Sequence, residues 1–207
     1  MKIYKSKYIP LDKFLNNALY NKKSGYYMYK NPIGKRGDFI TAPNISILFS
    51  EMIAIWCISY WESFGFPKNI NIIELGGGNG EMMYQMNKVF EKFDKFEKSK
   101  KCYILEKSQL LKNIQRKKLF SYKISWVNSL NKIKNGPNIF LANEFFDSLP
   151  IKQFVKKKNK WFEKKIEKKN NGNFKIVDKI TNIKKLENKI GINLSAEQKF
   201  IEFSPEA

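Results

Sequence analysis

The sequence predicts an α/β fold, a Rossmann-like parallel sheet preceded by an N-terminal helical cap and carrying an antiparallel β insertion. Three observations carry that prediction. From Asn69 onward, short apolar runs alternate with amphipathic stretches, the texture of βαβ units. The run Gly76-Gly77-Gly78-Asn79-Gly80 stands between one such strand and the helix after it. Beyond Pro150, β-like runs are separated by turn residues and not by helices. The 207 residues, 43% hydrophobic and 15% aromatic, suffice for one core with a small cap and argue against a disordered chain.

Pro10-Leu11-Asp12 introduces Phe14, Leu15, Ala18 and Leu19 at helical spacing, and Gly25 breaks the pattern before Tyr26-Tyr27. Asn31-Pro32, Gly34, Gly37-Asp38 and Ala42-Pro43 then make a loop too rich in turn residues for a long helix. The apolar window Ile45 to Trp61 repeats at three and four residues and reads as a buried helix ending near Gly65 and Pro67. Ile70 to Leu75 is the first strand. The helix after Gly80 carries Met82, Met83, Met86, Val89, Phe90 and Phe93 as core packing. Cys102 to Leu105 is the second strand, followed by a helix with Leu110, Leu111, Ile114 and Leu119, and strands at Ile124 to Val127 and Asn138 to Ala142. Ile151 to Val155, Trp161 to Ile166 and Phe174 to Val177 form the insertion, with the basic stretch Lys156 to Lys160 and the turn signal Asn170 to Asn173 between them. Phe200 to Phe203 approaches a further strand or helix, and Ser204-Pro205-Glu206-Ala207 reads as a helix start. These boundaries divide the chain into a cap and substrate loop at 1–68 and a Rossmann-like domain at 69–207, with the hairpin insertion at about 151–180. Four parallel strands without further helices leave an apolar edge, so the chain is expected to be a C-terminally incomplete fragment.

Composition excludes several chemistries. There is no His, hence no His general base, Ser-His-Asp triad or His-ligated metal. Cys57 and Cys102 lie far apart, outside any CxxC spacing, and are expected as reduced core thiols. The N-terminus lacks the apolar run of a secretory signal and the Ile45 to Trp61 window is too short to span a bilayer, so a cytoplasmic protein without membrane insertion is expected. The net charge of +20 would attract polyanions, but Lys, Asn and Ile recur throughout the chain, so general compositional bias accounts for the excess as well as a nucleic-acid partner does.

The segment Glu74 to Gly80 carries the chemistry. Its glycines at 76, 78 and 80 do not match a dinucleotide fingerprint, since Glu81 stands where the third glycine would fall, and no Gly-Lys-Ser/Thr follows to make a P-loop. An acidic residue two positions before G-x-G-x-G is the form seen in class I S-adenosylmethionine-dependent methyltransferases. Glu106, ending the second strand, can accept the two hydroxyls of a ribose at the topological switch point, or it is a solvated strand-end carboxylate. Asn143-Glu144-Phe145-Phe146-Asp147-Ser148-Leu149-Pro150 follows the fourth strand at the same sheet edge. It can hold a cationic nitrogen nucleophile, or serve as a helix-capping turn with buried Phe residues.

Taken with Ala18-Leu19-Tyr20, Gly25-Tyr26-Tyr27, Gly37 to Pro43, Ser46, Phe49, Glu51 and Glu106-Lys107-Ser108 with Leu111 and Gln115, these motifs resemble the MidA-like family over essentially the whole chain. That family comprises class I S-adenosylmethionine-dependent methyltransferases related to a mitochondrial complex I assembly factor that methylates a protein arginine. The resemblance implies S-adenosyl-L-methionine as cofactor, bound by Glu74, Gly76, Gly78, Gly80 and Glu106 with Asn143 near its reactive end. It also implies an arginine-bearing protein substrate such as a complex I subunit. With no His available, Glu144 is the first candidate to orient the guanidinium and take its proton, Asp38 the second and Asp147 the third. The chain departs from the family in having Gly77 where Gly-Pro-Gly is usual, and in ending at Ala207 where family members continue. Two rivals stand beside this reading: an RNA or DNA methyltransferase, against which the absence of Asn-Pro-Pro-aromatic counts, and a non-catalytic assembly factor.

Overall fold

The computed structural model describes residues 6–34, 37–194 and 197–206. Strand β1 (Tyr8–Pro10) runs into helix α1 (Leu11–Tyr20), and the single-turn helices α2 (Tyr26–Tyr29) and α3 (Ala42–Ile45) flank the expected loop. Helix α4 (Ile47–Ser63) leads to β2 (Ile70–Leu75), α5 (Glu81–Phe90) and α6 (Asp94–Ser99), then to β3 (Lys100–Leu105), α7 (Gln109–Lys118), β4 (Ile124–Val127) and β5 (Asn138–Leu141). The strands β6 (Lys152–Lys157), β7 (Lys160–Lys168) and β8 (Phe174–Ile180) follow, with helix α8 (Lys184–Ile190) and strand β9 (Phe200–Phe203).

These elements pack as two units, one of residues 22–147 and the other of the chain up to Asn21 with the chain from Ser148. This partition differs from the one drawn at residue 68, because α4 packs on α5 while β1 pairs with β7. In the 22–147 unit the sheet is parallel, in the order β4-β3-β2-β5. Strand β2 is buried from Ile70 to Glu74, as a central parallel strand covered on both faces requires. Met82, Met83, Met86 and Phe90 of α5 pack with Ile70, Ile72 and Ile104 of the sheet, in one core with Cys57 and Cys102, which are free thiols. Phe93 lies past the end of α5 and is 40% exposed, so the helical face stops at Phe90. The polar Asn71 is tolerated at the start of β2 because its amide donates to the Lys134 carbonyl and to Asn138 Oδ1.

The Ile45 to Trp61 window is only half buried. Ser50, Ala54, Cys57, Ile58 and Trp61 face the core, whereas Ile47, Leu48, Met52, Ile55 and Trp56 are all more than 40% exposed. The few polar residues between Ile47 and Trp61, namely Ser50, Glu51 and Ser59, mark no single outward face, and Ser50 is buried while Ser59 is exposed. Burial is therefore set by how many neighbours pack on the stretch, which periodicity does not reveal. Among the described residues no helix is long and apolar enough to cross a membrane.

The other unit is an antiparallel sheet built on β7. Strand β8 pairs along one side of it, while β6 and β1 share the other, and β9 extends β6. Lys156, Lys157 and Lys160 belong to the strands and not to a separating loop. Helix α8 covers Phe154 and Ile201 through Leu186, and α1 covers Ile166 through Leu11. Ala18 of α1 is exposed, against the expectation from helical spacing. Lys152 is held between Asp12 at 3.1 Å and Glu163 at 2.8 Å. Residues 204–206 form a turn, and Ala207, the end of the expected helix start, lies outside the described residues.

Lys158 and Asn159 make the two-residue connection between β6 and β7, with φ of 45° and 59°. Both positive values match the type I′ hairpin turn, for which Asn-Gly is the preferred pair. Replacing Lys158→Asn and Asn159→Gly together is therefore expected to stabilise the fold by about 1 kcal/mol. Chemical denaturation checks this, and an unchanged midpoint would contradict it.

Candidate functional site

The carboxyl ends of β2, β3 and β5 meet at one edge of the parallel sheet, the place where such sheets bind ligands. The chain leaves β2 through a glycine turn, in which Gly76, Gly78 and Gly80 take φ of 72°, 50° and 80°. These are conformations that residues with a side chain adopt at a cost. The turn is fixed by hydrogen bonds from the Gly76 N–H to the Leu105 carbonyl at 3.0 Å and from the Gly80 N–H to the Gly77 carbonyl at 2.7 Å. Asn79 Oδ1 accepts from the Glu81 N–H as α5 begins.

Above this turn lies an open cleft of about 600 Å³, its mouth included. Its floor includes Glu74, Gly76, Gly77 and Gly78, and its walls include Asn143, Glu144 and Asp147 after β5 and Tyr27, Ile33, Phe39 and Asn44 from the earlier segments. The loop folds over the cleft as a small ribbon, with Ile33 bridged to Phe39 and the Gly34 N–H donating to the Phe39 carbonyl. A relay of amides ties its far end to the turn: Asn79 Nδ2 donates to Asn44 Oδ1 at 2.7 Å, and Asn44 Nδ2 to Thr41 Oγ1 at 2.9 Å.

Glu74 is the electrostatic centre of the cleft. It is 4% exposed, and its Oε2 is buried without a hydrogen-bond partner among the described residues. Burial, reinforced by the Glu106 carboxylate, pushes its pKa up to about 8. In the parallel register Glu74 pairs with Ile104, so Glu106, two residues on, starts from the same face of the sheet. Glu106 is recessed behind the glycine turn and is not among the cleft-lining residues. Its Oε1 accepts from the Ser108 N–H at 2.8 Å and its Oε2 from Gln115 Nε2 at 3.1 Å. Burial raises its pKa, while the Ser108 N–H and the Gln115 amide oppose the rise.

Six of the nine predicted residues thus meet in one cleft: Glu74, Gly76, Gly78, Asn143, Glu144 and Asp147. Gly80 lies below, as the residue before α5, packed against Gln115. Asp38 is outside the lining, half exposed and clamped by the Tyr26 hydroxyl and by Lys30 Nζ at 2.6 Å. Those partners, Lys30 before Tyr26, hold its carboxyl below the usual range. Glu144 has φ of 48°, a left-handed conformation in a residue that rarely adopts it, at the point where the chain turns into the cleft. Phe146, which the capping alternative would bury, is 59% exposed. Reasoning from the sequence alone assigned no role to Tyr27, Asn44 or Asn79. Tyr27 and Asn44 lie in or beside the Gly25-Tyr26-Tyr27 and Gly37 to Pro43 motifs, the signal that could have pointed to them. Burial and then the Asp147 charge raise the Tyr27 pKa, which puts phenol and carboxylate within reach of each other's field.

Comparison with known proteins identifies the family. The Methyltransf_28 family model, described as an S-adenosyl-L-methionine-dependent methyltransferase, matches residues 52–207. The mitochondrial protein arginine methyltransferase NDUFAF7 of Xenopus laevis is 33% identical, over 75% of this chain and 41% of the relative. Its Homo sapiens counterpart is 32% identical over the same shares. A COG1565 superfamily member from Burkholderia thailandensis, crystallised bound to S-adenosyl-homocysteine, superposes with a TM-score of 0.74 at 20% identity. It covers 96% of this chain and 52% of its own, a likeness of fold. The chain therefore spans about two fifths of the length of these curated relatives and about half of that structural neighbour.

Proposed function

This chain belongs to the Methyltransf_28 family of S-adenosyl-L-methionine-dependent methyltransferases, and from that premise we propose that its cleft carries methyl transfer to an arginine side chain of a protein, with a respiratory complex I subunit as the substrate class. The observation that carries the proposal is the unpartnered, buried Glu74 carboxylate facing a cleft lined by further carboxylates and bare glycines. Such a floor is costly until a cationic group meets it. The amino group and sulfonium of S-adenosyl-L-methionine, and the guanidinium of an arginine, are cations of that kind.

The residues present fit the cofactor. Gly76, Gly77 and Gly78 bring bare backbone to the cleft floor, where a ligand can approach the turn closely. Glu74 would hold the amino end and Glu106 the ribose. Ile33 and Phe39, which also line the cleft, would exclude water above the ligand. When bound, S-adenosyl-L-methionine supplies an electrophilic methyl group. Glu144 and Asp147, on the opposite wall, orient the guanidinium, and Glu144 accepts the proton that the nitrogen gives up as it gains the methyl. Asp38, tied to Tyr26 and Lys30, serves to fasten the loop and does not act as the base.

Glu144→Gln is expected to lower methyl transfer at least about a hundredfold while S-adenosyl-L-homocysteine still binds. Incorporation of labelled methyl into complex I subunits, with mass spectrometry of the modified residue, measures the first, and calorimetry the second. Unchanged transfer would remove Glu144 from its role, and label found in RNA instead of protein arginine would overturn the substrate. Because a bound cation favours ionised Glu74, binding should release protons and strengthen as the pH rises toward about 8. Calorimetry in buffers of different ionisation heat checks this, and an observed heat independent of buffer would contradict it.

A further inference from the structure

Gln115 projects from α7 and is fully buried. Its Nε2 donates to the Gly78 carbonyl at 3.0 Å and to Glu106 Oε2 at 3.1 Å, and its Oε1 accepts from Trp126 Nε1 of β4 at 2.8 Å. The indole N–H can only donate, so the Trp126 bond fixes which end of the amide is which and directs both amide hydrogens at the turn and the carboxylate. The glycine turn closes directly on this side chain. A Cβ at Gly77 would lie 3.1 Å from Gln115 Nε2, and one at Gly80 3.5 Å from its Cγ. A leucine would fill the same volume; what Leu lacks is the pair of donors joining two separate parts of the site.

We propose that Gln115 is a positioning residue of the cofactor site, locking the glycine turn to Glu106 and keeping that buried carboxylate an acceptor for the ribose. The assignment rests on the methyltransferase reading above. Burial makes Glu106 dependent on such help, since desolvation is the largest influence raising its pKa. The groups that favour its ionised form are the Ser108 and Lys107 N–H groups, the Gln115 amide and Lys112 of α7. Without the amide, burial is less opposed and Glu106 takes a proton more readily. That proton occupies an acceptor position which the ribose hydroxyls need.

The test uses Gln115→Leu, with Trp126→Phe as a milder variant that leaves the amide in place but free to turn. Carboxyl-carbon NMR of the ligand-free chain follows the Glu106 titration in parent and variant, and calorimetry follows S-adenosyl-L-homocysteine affinity on the acid and alkaline sides of the titrations so found. In Gln115→Leu the Glu106 titration is expected to move to higher pH, with affinity about tenfold below the parent chain at the acid end and closing to about twofold at the alkaline end. The Glu106 charge raises the Glu74 pKa, so the Glu74 titration is read in the same spectra and its change enters the comparison. Trp126→Phe should show a smaller version of the same pattern, which keeps the idea open to refutation if Gln115→Leu fails to fold. An unmoved Glu106 titration, or an affinity loss of the same size at every pH, reduces Gln115 to packing and overturns the proposal. If Glu106 moves but the parent chain binds no S-adenosyl-L-homocysteine, the link from Gln115 to Glu106 stands and the cofactor reading is what fails.

Discussion

Raising the pH from about 5 to about 8.5 is expected to lower the thermal stability of this chain, and Glu74→Gln to remove most of that dependence. The sign follows from proton counting. Folded, Glu74 holds its proton up to about pH 8; an unfolded carboxyl with the ordinary value of 4.5 has released it long before. Between those two values the native state binds more protons than the unfolded one, so stability falls as the pH climbs. It is full below the unfolded value and levels off beyond the folded one. A rise from 4.5 to about 8, at about 1.4 kcal/mol per pH unit, corresponds to a loss on the order of 5 kcal/mol. Glu74→Gln keeps the shape of the neutral acid and cannot ionise. The variant should therefore melt well above the parent at about pH 8.5 and close to it at about pH 5, with a smaller slope left from Glu106, whose pKa is raised for the same reason. Melting curves across this range decide the matter, and parallel slopes for parent and variant would contradict the account.

Gly76→Ala is the second substitution with a large expected effect. The backbone at Gly76 has φ of 72°, which costs an alanine about 1–2 kcal/mol. The added Cβ would also sit 2.8 Å from Phe145 Cδ2, closer than real contacts allow. The Phe145 ring packs edge-on against Phe146, with centroids 5.5 Å apart, so it must shift against that neighbour, next to Glu144 of the cleft wall. The expected result is a loss of cofactor affinity of at least about tenfold together with a lowered melting temperature. Gly172→Ala provides the control, because it shares a positive φ of 83° but faces open space in the turn before β8. It should show the strain alone and bind the cofactor as the parent does. Calorimetry and melting curves on both variants separate the two effects; equal affinity losses would mean that contact with Phe145 is immaterial.

The parts of the site that local patterning determines were legible in the sequence. The apolar run Ile70 to Leu75 ending in Glu74, and the glycines after it, can hardly be anything but a buried parallel strand entering a tight turn. The Asn143 to Asp147 segment follows a second such strand at the same edge. What was not legible depends on three-dimensional partners. Whether Asp38 faces the cleft is decided by Tyr26 and Lys30, eight to twelve residues away, and the pull of that ion pair has no signature in the spacing. Glu106 reads as an open strand-end acid, yet Gln115 and the Ser108 N–H draw it behind the turn. The positive φ of Glu144 belongs to a residue type that gives no hint of it. On α4 the difficulty is of another kind, since its few polar residues fall on no single face, Ser50 buried and Ser59 exposed, and keep no record of which face is covered.

The claim on which the functional account depends is that the cleft at the ends of β2 and β5 receives an adenosine-bearing sulfonium, and its most direct test is a crystal structure of this chain with S-adenosyl-L-homocysteine. The account predicts the homocysteine amino group beside Glu74, the ribose hydroxyls on Glu106 and the bare face of the glycine turn against the ligand. Density for the ligand elsewhere, or an empty cleft in crystals grown at saturating ligand, would contradict it.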